Sequence, residues 1–123
     1  MKQSFTTVAI VARRHTEAIL ASINAVEAFM QQRGVKVLFG AQTLAAIPNA
    51  QPNGEPRTSV SDEAMGASAH LVIVVGGDGS LLGFGREMAA SGVPVVGVNR
   101  GGLGFLAAIS PEQIENKFGE ILD

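Results

Sequence analysis

The chain has 123 residues, a formal net charge of −2, 46% apolar residues and no cysteine, tryptophan or tyrosine. That length suits one α/β-sized domain, residues 1–123, with a real core, and the missing cysteines exclude disulfides, thiolate nucleophiles and thiolate metal sites. Near-balanced charge without a Lys/Arg run, and the lack of Trp and Tyr, argue against nucleic acid or an anionic membrane as partner.

The N-terminus leads directly into a strand-like run, so no signal peptide is expected. No unbroken apolar run is longer than that of Leu71 to Val75, which is too short to span a bilayer, and a soluble cytoplasmic protein is expected. Thr6 to Ala12 is β-branched and reads as the first strand. Arg13-Arg14-His15 follows. Ile19, Ile23, Val26 and Met30 then share one face of a helix that Gly34 stops as a C′ glycine. Val35 to Phe39 is a second strand, so the chain opens with a right-handed β-α-β unit. Leu44 to Ile47 reads as a short helical turn. Residues 48–61 carry three of the five prolines and few apolar side chains, the pattern of a mobile surface loop. Ser61-Asp62-Glu63 starts a short helix that ends near Gly66. His70 to Val75 is the third strand, continuously apolar as in a strand covered on both faces.

After the turn Gly76-Gly77-Asp78-Gly79-Ser80, Leu81, Phe84 and Met88 share a helical face that Gly92 closes. Val95 to Val98 is the fourth strand. Asn99 to Phe105 is a second glycine-rich loop. Ser110-Pro111-Glu112-Gln113 then has the serine cap, first-turn proline and capping glutamine of a helix entry, with Ile114, Phe118 and Ile121 on one face. Strands alternating with helices predict an open α/β fold, with a mostly parallel sheet and helices on both faces. Ligands of such sheets sit outside the carboxyl ends of the strands, where Arg13 and both glycine loops should meet.

The fifteen glycines are not periodic and cluster after Val75, which reads as site-building turns. Gly76, Gly77 and Gly79 let a ligand approach the main chain. With Ser80 they form a phosphate-cradling loop at a helix start. It is not a Walker A loop, since no Gly-Lys-Ser/Thr follows, and Gly77, Gly79 and Gly83 are spaced one residue too long for G-x-G-x-x-G. Asp78 fits two roles. It is an N-cap for the helix amides, or a base that accepts a proton from an attacking hydroxyl or holds Mg²⁺ through water. Arg100 is either a phosphate clamp or one half of a salt bridge. Phe105 offers a ring face to a base or ribose, or fills core. Arg13 and Arg14 read as a solvated strand end, with anion contact the second reading. His15 and His70 have no metal-ligand spacing and read as structural, so no metal site is assigned.

Gly76-Gly77-Asp78-Gly79-Ser80, followed after a helix and a strand by Asn99-Arg100-Gly101-Gly102-Leu103-Gly104-Phe105-Leu106, resembles the NAD kinases, most closely the bacterial ones. The first motif is shared with phosphofructokinases and with diacylglycerol and sphingosine lipid kinases. The second loop at this spacing points to NAD kinase. Ala12-Arg13-Arg14 is unlike the glycine-rich loop with which a phosphofructokinase would open. The resemblance implies ATP-dependent phosphorylation of the adenosine ribose 2′-hydroxyl of NAD⁺ to NADP⁺, with a divalent cation. It implies Asp78 as proton acceptor, and Asp78, Gly79 and Phe105 as contacts to NAD. Ser80 stands where the family usually has threonine, which keeps the hydroxyl. Family members continue into a mostly β domain that is missing from these residues. The chain is therefore expected to be an N-terminal domain with little or no kinase activity alone, and the full-length protein a homo-oligomer. The alternatives are a non-catalytic nucleotide-binding domain, or a sugar- or lipid-kinase relative sharing the first turn.

Overall fold

In the computed structural model, residues 6–52, 54–76, 83, 86, 88, 91–98 and 108–109 are described. The first β-branched run forms β1 (Thr7–Val11). The chain then enters α1 (Glu17–Gln32), capped by the Thr16 hydroxyl, which accepts the Ile19 N–H at 3.2 Å. Ile19, Ile23, Val26 and Met30 are buried on its inner face, as their spacing predicts. Gly34, at φ 76°, ends the helix. Its N–H donates to the Gln31 carbonyl at 3.0 Å and that of Val35 to Met30 at 2.9 Å, the paired bonds of a Schellman motif.

Next come β2 (Lys36–Gly40), α2 (Ala41–Ala45), β3 (Thr58–Val60) and α3 (Asp62–Ser68). Ser61 caps α3 by accepting the Ala64 N–H at 3.2 Å. β4 (Leu71–Val75) is buried along its whole length. β5 (Val95–Val98) and β6 (Ala108–Ile109) complete the described strands. Between β4 and β5, Gly83, Arg86 and Met88 have helical backbone.

Among the described residues the six strands form one sheet in the order β3-β2-β1-β4-β5-β6, and every neighbouring pair is parallel. Successive side chains of a strand point to opposite faces, so β1 and β4 feed two cores. Val8, Ile10, Leu71, Ile73 and Val75 pack with Ile23, Val26 and Met30 of α1. Ala9, Val11, Val72 and Val74 pack with Met65 of α3 and with Met88. Helices therefore cover both faces, which is why β4 carries no polar alternation.

Two elements depart from the expectation of four strands. Residues 58–60 (Thr58, Ser59 and Val60), expected to be loop, form β3, an edge strand beside β2 among the described residues. The two-residue β6 pairs with β5. The segment before β3 is tied down. Ala50 and Pro56 form an antiparallel bridge, the Gln51 N–H donates to Glu55 at 2.8 Å, and the Arg57 N–H donates to Asn49 at 2.8 Å. The short helix expected at Leu44 to Ile47 begins earlier, at Ala41, and Ile47 is core. The helix expected from Ser110 onward lies outside the described residues. No helix among the described residues is long and apolar enough to cross a membrane.

Candidate functional site

The chain moves outward from β1 to β2 and β3, then returns through α3 to β4 on the other side of β1. The strand order thus reverses between β1 and β4, and connections leave in opposite directions there, opening a crevice at the carboxyl ends. The register pairs Val11 with Val74, so Arg13 stands level with Gly76 across that crevice. β5 lies on the far side of β4, with Val75 paired to Val98. The Gly76 N–H donates to the Val98 carbonyl at 3.0 Å. The two glycine-rich segments therefore start one hydrogen bond apart.

Gly76 leaves β4 at φ 149°, a backbone angle that favours glycine. It is the member of the expected phosphate loop that the structure describes, and it sits at the predicted edge. Gly77, Asp78, Gly79 and Ser80 lie outside the described residues, as do Arg100 and Phe105. Among the described residues no group of three or more His, Asp or Glu comes together to hold a metal ion.

The described frame of the crevice adds residues that spacing does not single out. Thr43, buried in α2, accepts the Ala12 N–H at 3.1 Å and donates its hydroxyl to the Ala12 carbonyl at 3.3 Å. One side chain thus satisfies both main-chain groups where β1 ends, directly before Arg13. Gly40 allows the end of β2 to approach its neighbours. A Cβ there would stand 2.9 Å from Val11 Cγ1 and 3.1 Å from Met65 Cε. Arg13 reaches across the switch point to the helix beyond the glycine turn. A Cβ on Gly83 would meet its Nη2 at 3.2 Å, Nε at 3.6 Å and Cζ at 3.7 Å.

His70 lies away from this edge. His70 sits at the amino end of β4, where Nδ1 accepts the N–H groups of Thr6 at 3.2 Å and Thr7 at 3.3 Å. His15 is exposed. The largest buried charges are also elsewhere. Arg57 and Glu27 pair at 2.8 Å with side chains 1% and 3% exposed. Glu27 lines a cavity of about 440 Å³ with Asn24, Gln31, Gln51 and Pro52, toward the amino end of the sheet. Glu27 does carry a sequence signal. It falls four residues after Ile23 and three before Met30, on the apolar face of α1, and a carboxylate there needs a buried cation.

The family described as ATP-NAD kinase N-terminal domain matches residues 8–123. The chain is 42% identical over 118 residues to a NAD kinase of Cellvibrio japonicus, covering 96% of this chain and 39% of that protein. It is 40% identical over 122 residues to a NAD kinase of Alcanivorax borkumensis, covering 99% of this chain and again 39% of the relative. The chain therefore spans 39% of the length of these curated relatives. A crystal structure of yeast NADH kinase complexed with NADH aligns over 94% of this chain and 37% of that one, with a TM-score of 0.74 and 18% identity, a likeness in fold.

Proposed function

We propose, for a chain that belongs to the NAD kinase family through its N-terminal domain, that the whole protein transfers the γ-phosphoryl group of ATP to the adenosine ribose 2′-hydroxyl of NAD⁺. In this reading residues 1–123 are one α/β domain carrying the base and the backbone cradle. The observation that carries it is the family match over residues 8–123, which includes both glycine-rich segments. The bond from Gly76 to Val98, which starts those segments side by side at a switch point, supports it.

The ribose 2′-oxygen attacks the γ-phosphorus. The new O–P bond forms as the bond to the β,γ-bridging oxygen breaks, and ADP leaves with that electron pair. Asp78 accepts the 2′-hydroxyl proton and releases it to solvent. Gly77, Gly79 and Ser80 cradle phosphate with main-chain amides, which helix-start geometry favours, while Gly76, whose own N–H is bonded to the Val98 carbonyl, opens the loop with a backbone angle that favours glycine. Phe105 lies against the dinucleotide and Arg100 against phosphate. A divalent cation arriving with the ATP phosphates would neutralise part of their charge. Catalysis in such a transfer is mostly positioning and electrostatics. The protein works in the cytoplasm as a homo-oligomer, with no nucleic-acid or membrane partner.

The test is Asp78→Asn in the whole protein, read as NADP⁺ formation. Loss of a general base costs ~10²–10⁴ in turnover. NAD⁺ affinity should stay within about tenfold, or about 1.4 kcal/mol. Near-normal turnover removes Asp78 from the mechanism. The chain of 123 residues alone is expected to form little or no NADP⁺, having 39% of its relatives' length. Robust turnover by it would overturn that expectation. A panel of NAD⁺, diacylglycerol and fructose 6-phosphate separates this reading from lipid or sugar phosphorylation.

A further inference from the structure

Arg13 is the first residue beyond the point where β1 is fastened, and three observations fix where its charge can act. Thr43 bonds to both main-chain groups of Ala12, so the Arg13 backbone departs from a held point. The register of β1 on β4 pairs Val11 with Val74 and, continued two residues, sets Arg13 level with Gly76. The guanidinium then lies over Gly83, whose added Cβ would find three Arg13 atoms, Nη2, Nε and Cζ, as its nearest neighbours. Gly83 is helical, where glycine is disfavoured relative to alanine, so its missing side chain needs a local reason. The Arg13 guanidinium occupies that space. Arg13 is nevertheless exposed as a residue, which keeps it at the surface of this edge.

We propose that Arg13 is a phosphate-binding residue of this site, held at the switch point by Thr43 and seated on Gly83, contacting the phosphate chain of a nucleotide co-substrate. A guanidinium suits this task because its planar donors match phosphate oxygens two at a time, which a lysine ammonium cannot do. The proposal rests on the kinase reading above for the identity of the nucleotides. The placement of Arg13 does not depend on it.

The experiment uses the whole protein with Arg13→Gln, Arg13→Lys and Gly83→Ala. It measures KM for ATP, KM for NAD⁺, kcat, the calorimetric affinity for each nucleotide alone, and the thermal midpoint. Arg13→Gln is expected to raise KM for one nucleotide by roughly tenfold or more, the scale of one lost charge-assisted hydrogen bond. Arg13→Lys should recover only part of this. Gly83→Ala is the decisive variant. It displaces the guanidinium by a few tenths of an ångström while improving helix propensity, so the thermal midpoint should hold or rise while the same KM rises about threefold. A merely structural Arg13 would not give that split. The nucleotide whose KM moves identifies the phosphate source, ATP or the NAD⁺ pyrophosphate. Unchanged KM for both nucleotides in Arg13→Gln and Gly83→Ala overturns the proposal while the kinase reading stands. If the unsubstituted protein forms no NADP⁺, the kinase reading fails and the calorimetric affinities decide. A loss in Arg13→Gln then supports the phosphate contact. An unchanged affinity, or no binding by the unsubstituted protein, overturns it.

Discussion

Arg57 and Glu27 make the most sharply defined energetic prediction. The guanidinium donates from Nε to Glu27 Oε2 at 3.2 Å and from Nη2 to Glu27 Oε1 at 2.8 Å. Nη2 also reaches Asn24 Oδ1 at 2.7 Å, Nη1 reaches the Pro48 carbonyl at 3.1 Å, and Cζ lies 5.2 Å from the centre of the Phe39 ring. With side chains 1% and 3% exposed, neither charge can be hydrated if the other is removed. Arg57→Met or Glu27→Leu alone should therefore cost about 3–5 kcal/mol, the usual penalty for stranding one member of a buried pair. For a domain of this size that lowers the thermal midpoint by roughly 10–20 °C. The double variant strands neither charge. It also leaves Asn24 half-buried and Pro48 exposed, so water can serve both freed acceptors. Its cost should fall to about 0–2 kcal/mol, since apolar replacements of buried pairs are often neutral or better. A urea-unfolding cycle followed by circular dichroism measures the coupling, expected to be at least ~3 kcal/mol. Additive single costs would refute the reasoning, because they would mean that each charge finds water or another partner when its mate is gone.

Thr43→Val keeps shape but leaves the buried Ala12 N–H and carbonyl without the hydroxyl, and should destabilise by about 2 kcal/mol. Thr43→Ser keeps both bonds and should recover most of it, read from the same urea midpoints. Gly34→Ala meets nothing within 4 Å, so its cost is the left-handed backbone alone, about 1–2 kcal/mol. Gly40→Ala has ordinary backbone angles but would press on Val11 Cγ1 at 2.9 Å, and overpacking there should cost about 1–3 kcal/mol. A neutral Gly40→Ala would mean that the end of β2 is free to shift.

The legible parts of the fold are those where one residue type answers one physical demand. Ile19, Ile23, Val26 and Met30 mark a helical face, Gly34 needs a positive φ, and Leu71 to Val75 must be covered twice. β3 was not legible because an edge strand of three residues, largely exposed, has neither alternation nor length to show. What fixes it is distant in sequence: Arg57 anchored on α1, and Leu38, Phe39 and Gly40 in register with Thr58, Ser59 and Val60. Thr43 and Gly83 escaped for the same reason, since their partners Ala12 and Arg13 lie far off in sequence, just beyond the end of β1. The glycine turn at the end of β4 was legible because β-branched residues running into glycine are a local pattern. The remaining expected site residues, Gly77, Asp78, Gly79, Ser80, Arg100 and Phe105, lie outside the described residues, so their roles stand as proposals.

The glycines show why a loop and its frame have to be considered together. They cluster after Val75, but not all serve turns of the site: Gly92 has φ 76°, as a residue that closes a helix can, and Gly97 lies buried within β5. Gly40 admits Val11 and Met65, Gly66 admits Ser91, and Gly83 admits Arg13. Each of these three is a close approach between elements on the face of the sheet that carries Met65 and Met88, and those elements run to or from the carboxyl edge. A phosphate cradle works only if its amides and its cation converge to within a fraction of an ångström. Close-packed elements set that convergence, and a packed interior transmits displacement instead of absorbing it. Substitutions at Gly40, Gly66 and Gly83 should then shift the carboxyl edge without touching it, each in proportion to the side chain its Cβ displaces. Gly34 and Gly54, whose added Cβ atoms meet nothing within 4 Å, should change stability alone.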